Sequence, residues 1–286
     1  MTSIKPSSKK VGLNVIKKAV ILLSLVFGLL VLAGCESGPN IQIKYGFNDN
    51  KDTVRYNLTL DEFYEGETIV WQSSDETVIS NEGVVTRPAA NQTDVKITLT
   101  ATVSDGKKTF NLTVKKLTGN AVYDLYPSLN DDDHIVTEVN YQETMGLFQP
   151  GTDAVLLMGW PTCGWCIEYI YYYNMLAKQQ GIDEILYYNH RTIRNDITID
   201  GDKVTLNADF KALTEKIDPD FLDRHPTDST QMWIYSPTLF IIKNGVVVDA
   251  LGGAIDGHNA YESNLTEAQK MILIFGITEL YTTFKN

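Results

Sequence analysis

The sequence predicts two folded parts in series: an all-β sandwich, then an α/β part with a central mixed sheet flanked by helices. Two observations predict this division. In the first half, apolar and polar residues alternate with a period of two, as over residues 95–103. After residue 134, short apolar runs alternate with longer segments suited to helices. The 252 residues that follow position 34 are enough for two domains of ordinary size.

Residues 1–34 are predicted to be a lipoprotein signal peptide. A lysine-rich start precedes an apolar run over residues 19–32, shorter than the roughly 20 residues that a membrane span needs. The run ends in Leu32-Ala33-Gly34-Cys35, which resembles a bacterial lipobox. The resemblance implies that Cys35 carries diacylglyceryl and palmitate, enough acyl chains for stable anchoring. An uncleaved membrane anchor and an ordinary secretory signal are the alternatives.

The net charge and the predicted compartment limit the functions that the chain can have. Residues 1–34 hold five lysines and no acidic residue, so their removal takes the net charge from −12 to −17. Such acidity argues against nucleic acid as a partner. The lipid is the only attachment predicted, through a tether at residues 35–39, on the extracytoplasmic face of a bacterial cell membrane. Disulfides persist in that compartment.

Residues 40–117 are predicted to be all-β. A hairpin is expected where residues 95–103 and 108–115 flank the turn Ser104-Asp105-Gly106-Lys107. The segments Trp71-Gln72-Ser73-Ser74-Asp75 and Gly83-Val84-Val85-Thr86 precede it, and the pattern resembles atypical bacterial immunoglobulin-like domains. The resemblance implies either carbohydrate or protein binding at the cell surface or a spacer, and we expect Trp71 in the core.

Residues 118–133 are predicted to link the two parts. The run Asp131-Asp132-Asp133 is typical of a solvated linker, and binding of a hard cation such as Ca²⁺ is the alternative.

The α/β part is predicted over residues 134–286. Strands are expected at 134–139, 153–160, 184–189, 238–242 and 246–250. Helices are expected at 141–148, at 163–180 with a stop at Gly181, at 209–222, and from Asn264 to Phe284 with Glu267 as capping-box partner. Residues 192–235 form an insertion that is a candidate substrate lid.

The motif Cys163-Gly164-Trp165-Cys166 stands where the second of these strands gives way to a helix. At a helix N-terminus, unpaired amide groups and the helix dipole favour a thiolate over a thiol. This position predicts thiol–disulfide exchange.

Three further landmarks accompany the motif: Ser236-Pro237-Thr238 before a strand, Lys243-Asn244-Gly245 in the next hairpin, and Gly253 eight residues on. Together with the order of strands and helices they resemble the thioredoxin fold. The resemblance implies that Cys163 is the nucleophile and Cys166 the resolving residue of a redox-active disulfide. It also implies a cis bond before Pro237.

The resemblance implies roles for other residues too. The cis-proline loop at Ser236 and Pro237 would bind substrate, and Trp160 and Trp165 would add an apolar docking surface. Leu157 stands where thioredoxin has a buried aspartate, so Glu168 is the nearest candidate for handling the proton of Cys166. A solvated position on the helix face is the alternative for Glu168.

The implied activity is that of a thiol–disulfide oxidoreductase that needs no cofactor and acts on thiols or disulfides of exported proteins. Cys-Gly-x-Cys is commoner among reducing members, which favours reduction or repair, with an unidentified membrane electron donor or acceptor. One alternative is an accessory binding lipoprotein with a redox-inert scaffold. Another is zinc held by the two cysteines and by histidines among His190, His225 and His258, whose spacing does not favour it.

Overall fold

The computed structural model describes residues 38–286. The predicted signal peptide and the predicted lipidation site at Cys35 lie outside the described residues. Across 38–286, no helix combines the length and apolar character needed to cross a membrane.

The N-terminal part, residues 38–117, consists of β-strands. They are β1 (Ile43–Lys44), β2 (Thr59–Leu60), β3 (Phe63–Tyr64), β4 (Glu67–Thr68), β5 (Val70–Ser73), β6 (Val95–Val103) and β7 (Gly106–Val114). The strands β5, β6 and β7 form an antiparallel sheet, and β6 pairs with β7 along its whole length. The predicted hairpin is therefore confirmed, and alternate side chains of β6 are buried, as the period of two requires.

Trp71 lies at the edge of this core and is half-buried. Its ring packs against Phe110 with centroids 5.6 Å apart, and its indole N–H donates to the carbonyl of Asp61 at 2.8 Å. Fully buried Leu99, Ile79 and Val54 form the centre of the core.

The segment between the two parts is folded and is not an extended linker, although Asp132 and Asp133 are exposed to solvent as predicted. It contains helix α1 (Ala121–Leu125) and a 3₁₀ turn at Pro127–Leu129 whose three residues are all buried. Asp131 accepts hydrogen bonds from Asn174 at 2.7 Å and Lys178 at 2.8 Å. These partners lie more than 40 residues away in the sequence, so a local aspartate run does not reveal them.

The C-terminal part, residues 134–286, alternates strands and helices. In chain order it contains β8 (Val136–Glu138), α2 (Tyr141–Gly146), β9 (Ala154–Gly159), α3 (Gly164–Gln179), β10 (Ile185–Asn189), α4 (Arg191–Asn195), β11 (Thr198–Asp200), β12 (Lys203–Thr205), α5 (Ala208–Thr214), a 3₁₀ turn (Pro219–Phe221), β13 (Asp223–Arg224), β14 (Met232–Trp233), β15 (Thr238–Lys243), β16 (Val246–Gly252) and α6 (Glu267–Lys285).

A five-stranded mixed sheet is the centre of this part, with strands in the order β16-β15-β9-β10-β8. The strands β8 and β9 run parallel to β10, while β15 runs antiparallel to β9 and to β16. Every residue of β9 is buried, because helices α3 and α6 cover one face and the insertion with α5 covers the other. The sheet therefore holds the carboxyl end of β9 rigidly beneath the cysteine motif.

Two predicted helices differ from the structure. The helix expected at 209–222 ends at Thr214, and a separate 3₁₀ turn begins at Pro219, since proline cannot continue a helix and disfavours helical geometry in the residue before it. The last helix is capped by Thr266 with Gln269, and not by Asn264 with Glu267. The amide of Leu265, directly before this cap, donates to Glu168 at 2.6 Å.

Candidate functional site

The two cysteines of the motif lie where β9 passes into α3, as predicted. Cys163 is the N-cap residue of α3, with extended backbone geometry, and its amide donates to the carbonyl of Trp160 at 3.1 Å. Both cysteines are buried and both are thiols. Helix α3 ends before Gly181, whose φ of +67° is one that glycine adopts without strain.

The surroundings of Cys163 favour its thiolate and lower its pKa. The hydrogen bond from the thiol of Cys166 is the largest cause, and the amides of Cys166 and Trp165 add to it. The Cys166 amide lies 3.4 Å from the Cys163 sulfur. Burial acts in the opposite direction, and the charge of Arg194 lowers the pKa further. Because the Cys163 sulfur caps α3, the amides of the first helical turn stabilise the thiolate of this predicted nucleophile.

Cys166 has the opposite character, since its burial raises the pKa of its thiol well above the ordinary value. It lies against Gly159 at the end of β9. A Cβ atom on Gly159 would come within 2.8 Å of the Cys166 sulfur, so the close approach requires glycine. The same Cβ position is 3.9 Å from the hydroxyl of Tyr126, which donates to Tyr187 at 3.0 Å.

Ser236 and Pro237 lie opposite the motif, and the peptide bond between them is cis. The thiol of Cys163 donates to the carbonyl oxygen of Ser236 at 3.4 Å. The hydroxyl of Ser236 pairs with Nε2 of His190 at 3.2 Å. The structure therefore brings together two segments that are 73 residues apart in the sequence.

His190 is fully buried behind this loop. Burial, followed by the charge of Arg194, lowers its pKa to about 3, so the ring is neutral at physiological pH. The ring stacks on Phe210, with centroids 6.4 Å apart, and meets Trp160 edge-on at 5.5 Å. A neutral histidine can exchange a hydrogen bond with Ser236 without placing a second cation beside the sulfurs.

Arg194 supplies the positive charge of the site. Its guanidinium lies over Trp160 at 5.1 Å and over Trp233 at 4.3 Å, and its Nε donates to the carbonyl of Ile234 at 2.9 Å. Trp160 is thus half-buried beneath a cation, so that only part of its ring is available for docking. Arg191, one turn earlier, donates to the hydroxyl of Thr162 at 2.9 Å.

Trp165 faces the other side of the motif, where Tyr261 covers it. The two rings meet edge-on with centroids 5.2 Å apart. The Tyr261 hydroxyl accepts from the amide of Gly164 at 3.2 Å, at the first turn of α3. The indole N–H of Trp165 is buried and has no hydrogen-bond partner within residues 38–286.

Glu168 is buried and not solvated. Its carboxylate binds Nε2 of His258 at 2.5 Å and the amide of Leu265 at 2.6 Å, and so holds the loop before α6. Residues two apart on a helix do not face each other, so Glu168 and Cys166 point to different sides of α3. A role of Glu168 in handling the proton of Cys166 stays a prediction.

The three candidate histidines lie in separate places. His190 pairs with Ser236, His258 with Glu168, and His225 packs edge-on against Trp233 at 4.5 Å. Among residues 38–286, no group of three or more histidine, cysteine, aspartate or glutamate side chains could hold a metal ion.

Comparison with known proteins identifies the N-terminal part. Residues 36–117 match the family model of the atrophied bacterial Ig domain. The N-terminal part is therefore an immunoglobulin-like domain, as the segments around Trp71 and Gly83 predict. No curated protein matches the chain.

Sequence reasoning misses Tyr126, Arg194 and Tyr261, and it considers His190 only as a zinc ligand. His190, Arg194, Tyr126 and Tyr261 belong to no motif and reach the cysteines only through the fold. A histidine directly after a predicted strand, with an arginine four residues later, is a weak indication, because functional side chains gather at the strand ends of such sheets.

Proposed function

We propose that residues 134–286 form a thioredoxin-like domain that catalyses thiol–disulfide exchange. The observation that supports this most is the contrast between the two sulfurs. Cys163 has a lowered pKa at the start of α3, whereas Cys166 has a raised pKa behind it. An exchange catalyst needs such a pair, with one thiolate that attacks and one protected thiol that resolves. The sequence of strands and helices and the cis bond before Pro237 also fit the resemblance.

In the reducing direction, the Cys163 thiolate attacks one sulfur of a substrate disulfide. The substrate S–S bond breaks, a mixed disulfide forms, and the departing sulfur takes up a proton. Cys166 then gives up its proton and attacks the Cys163 sulfur, which releases the second substrate thiol and leaves a Cys163–Cys166 disulfide. Two electrons have passed to the substrate, and an external dithiol restores the pair. Oxidation of substrate thiols is the same sequence in reverse.

The resting contacts of Cys163 support this order of events. The sulfur accepts a hydrogen bond from the amide of Cys166 and lies against the carbonyl of Ser236. A substrate segment that takes the place of the Ser236 carbonyl therefore contacts the sulfur directly. We also propose that lipid on Cys35 tethers the protein at the extracytoplasmic face of a bacterial membrane. Its substrates would then be exported proteins, and the dithiol donor would lie in or at the membrane.

Single-turnover and steady-state reduction of insulin test the proposal, with dithiothreitol as electron donor. The wild type is expected to reduce insulin, and Cys163→Ser to abolish turnover. Cys166→Ser is expected to accumulate a mixed disulfide with insulin that the wild type releases. The opposite result is that folded wild-type protein, with both cysteines reduced, does not reduce insulin. That result would favour an accessory lipoprotein with a redox-inert scaffold.

A further inference from the structure

A wide cleft separates the immunoglobulin-like domain from the cysteine motif. Its volume is about 750 Å³. One wall is formed by residues 44–48, 55–57 and 59 of the immunoglobulin-like domain. The other wall includes Thr162 and Gly164, the two residues that flank Cys163. The loop 260–264 closes one end. An occupant of this cleft therefore contacts the residues on either side of Cys163 in the chain.

The immunoglobulin-like domain is fixed in place across this cleft by hydrogen bonds. Lys44 donates to the carbonyl of Tyr261 at 3.1 Å, the same residue whose hydroxyl accepts from the first turn of α3. Arg55 donates to the carbonyl of Pro127 at 3.0 Å, and the hydroxyl of Tyr56 accepts from the amide of Ser128 at 3.0 Å. The turn at 127–129 is itself buried, with Leu129 in the core of the C-terminal part.

The chemistry of the walls selects the kind of occupant. Arg55 is paired with Asp49 at 2.8 Å, and Lys44 is bound to a backbone carbonyl, so both cations of the cleft are already engaged. The walls combine aromatic and aliphatic side chains, including Tyr45, Phe47 and Ile167, with polar side chains such as Asn48 and Asn57. Walls whose described residues mix apolar and polar side chains and leave no cation free suit a polypeptide segment better than a small anion.

We propose that this cleft docks an extended segment of the exported protein whose disulfide Cys163 attacks. The inference rests on the proposed function and gives the immunoglobulin-like domain a role beyond that of a spacer: it is one wall of the substrate site. A small disulfide reaches the sulfur without touching this wall, whereas a protein disulfide brings its flanking residues into it. The domain therefore contributes to recognition of protein substrates and not to the chemistry at the sulfurs.

The test compares a protein disulfide with a small one, using the full chain in detergent. Insulin is the protein substrate and 2,2′-dithiodipyridine the small one, both in single turnover with pre-reduced protein. Thr59→Trp narrows the cleft from an exposed strand position, and Thr68→Trp makes the same change on another exposed strand of that domain. Phe47→Ala removes apolar surface from the wall. Its control is Phe63→Ala, since the Phe63 side chain is 62% exposed and lies elsewhere on the domain.

Thr59→Trp and Phe47→Ala are each expected to lower the rate constant with insulin about five- to tenfold, an effect typical of losing one central contact. The rate with 2,2′-dithiodipyridine and both control variants should match the wild type. Equal insulin rates in all folded variants would overturn the cleft inference and leave the proposed function intact. Equal losses with both substrates would also overturn it, since the sulfur site itself would then be damaged. Wild-type protein inert towards both substrates would remove the proposed function and the inference with it.

Discussion

The regions around the two cysteines differ sharply, although the residues lie one helical turn apart. In the outer region around Cys163, the hydrogen bond from the Cys166 thiol, the amides of the first helical turn and the positive charge of Arg194 together lower the pKa of that thiol. The inner region behind Cys166 consists of the end of β9 and buried side chains, and it raises the pKa there. The motif supplies two identical groups, and the fold gives them different chemistry.

A substitution in the inner region should have the larger effect, which is measured as the rate of insulin reduction. Gly159→Ala places a Cβ within 2.8 Å of the Cys166 sulfur, so the sulfur or the start of α3 has to shift. A misplacement of about 1 Å at a reacting group can cost about 100-fold in rate, and we expect insulin reduction to fall by about that much while a mixed disulfide accumulates.

The control for this change is Gly146→Ala at the end of α2, where no atom lies within 4 Å of the added methyl group. It should reduce insulin at the wild-type rate. A folded Gly159→Ala protein with wild-type turnover would show that the close contact between glycine and sulfur does not matter for resolution.

The buried ring of His190 makes stability depend on pH. Its pKa is about 3 in the folded chain against an ordinary 6.5, so between these values the unfolded chain binds more protons. The contribution of His190 is complete above pH 6.5 and is lost as the pH falls towards 3. Urea unfolding of wild type and His190→Gln from pH 7 to pH 4 should show a steeper loss in the wild type, by at most about 1.4 kcal/mol per pH unit.

His134→Gln is the matched control, since the ring of His134 is less deeply buried and its pKa is also lowered. Its effect on the pH dependence should be smaller. If the wild-type and His190→Gln curves run parallel over the whole range, the histidine is not held neutral by the fold.

A substitution in the outer region should have a smaller effect, which is measured as the reactivity of Cys163. Arg194→Gln removes a charge that lowers the pKa of Cys163, after the larger effects of the Cys166 hydrogen bond and the helix amides. The pKa of Cys163 should rise, so alkylation by iodoacetamide at pH 6, mapped to Cys163 by mass spectrometry, should slow several-fold. Arg194→Lys should restore part of the rate, whereas Arg224→Gln, at an exposed position, should not change it. An unchanged alkylation rate in Arg194→Gln would show that the charge of Arg194 does not lower the pKa of Cys163.

The sequence predicts the parts of this arrangement that local patterns encode. The β6–β7 hairpin follows from strict alternation, and the start and stop of α3 follow from the motif and Gly181. The capping box of α6 is misplaced by two residues because Asn264 and Thr266 both have a suitable partner three positions on. The structure forms the box at Thr266 and Gln269, whose side chains and amides bond reciprocally.

What the sequence does not predict depends on contacts between distant segments. Residues 127 and 128 are hydrogen-bonded to Arg55 and Tyr56 of the other domain, and Asp131 pairs with Lys178. His190 follows β10 directly and Arg194 lies in the next helix, yet their relation to Cys163 and Ser236 depends on which strands are neighbours in the sheet. A short polar segment gives no periodic signal that would reveal such contacts.

The redox equilibrium of the Cys163–Cys166 pair tests the central claim most directly. The full chain would be equilibrated with dithiol–disulfide buffers of known potential, and the fraction of disulfide measured by thiol trapping. We predict a reversible two-electron couple in the range of about −270 to −120 mV that exchange catalysts occupy, with a value near −270 mV indicating a reductase. A pair that stays fully reduced or fully oxidised across that range would contradict the assignment of Cys163 and Cys166 as an exchange site.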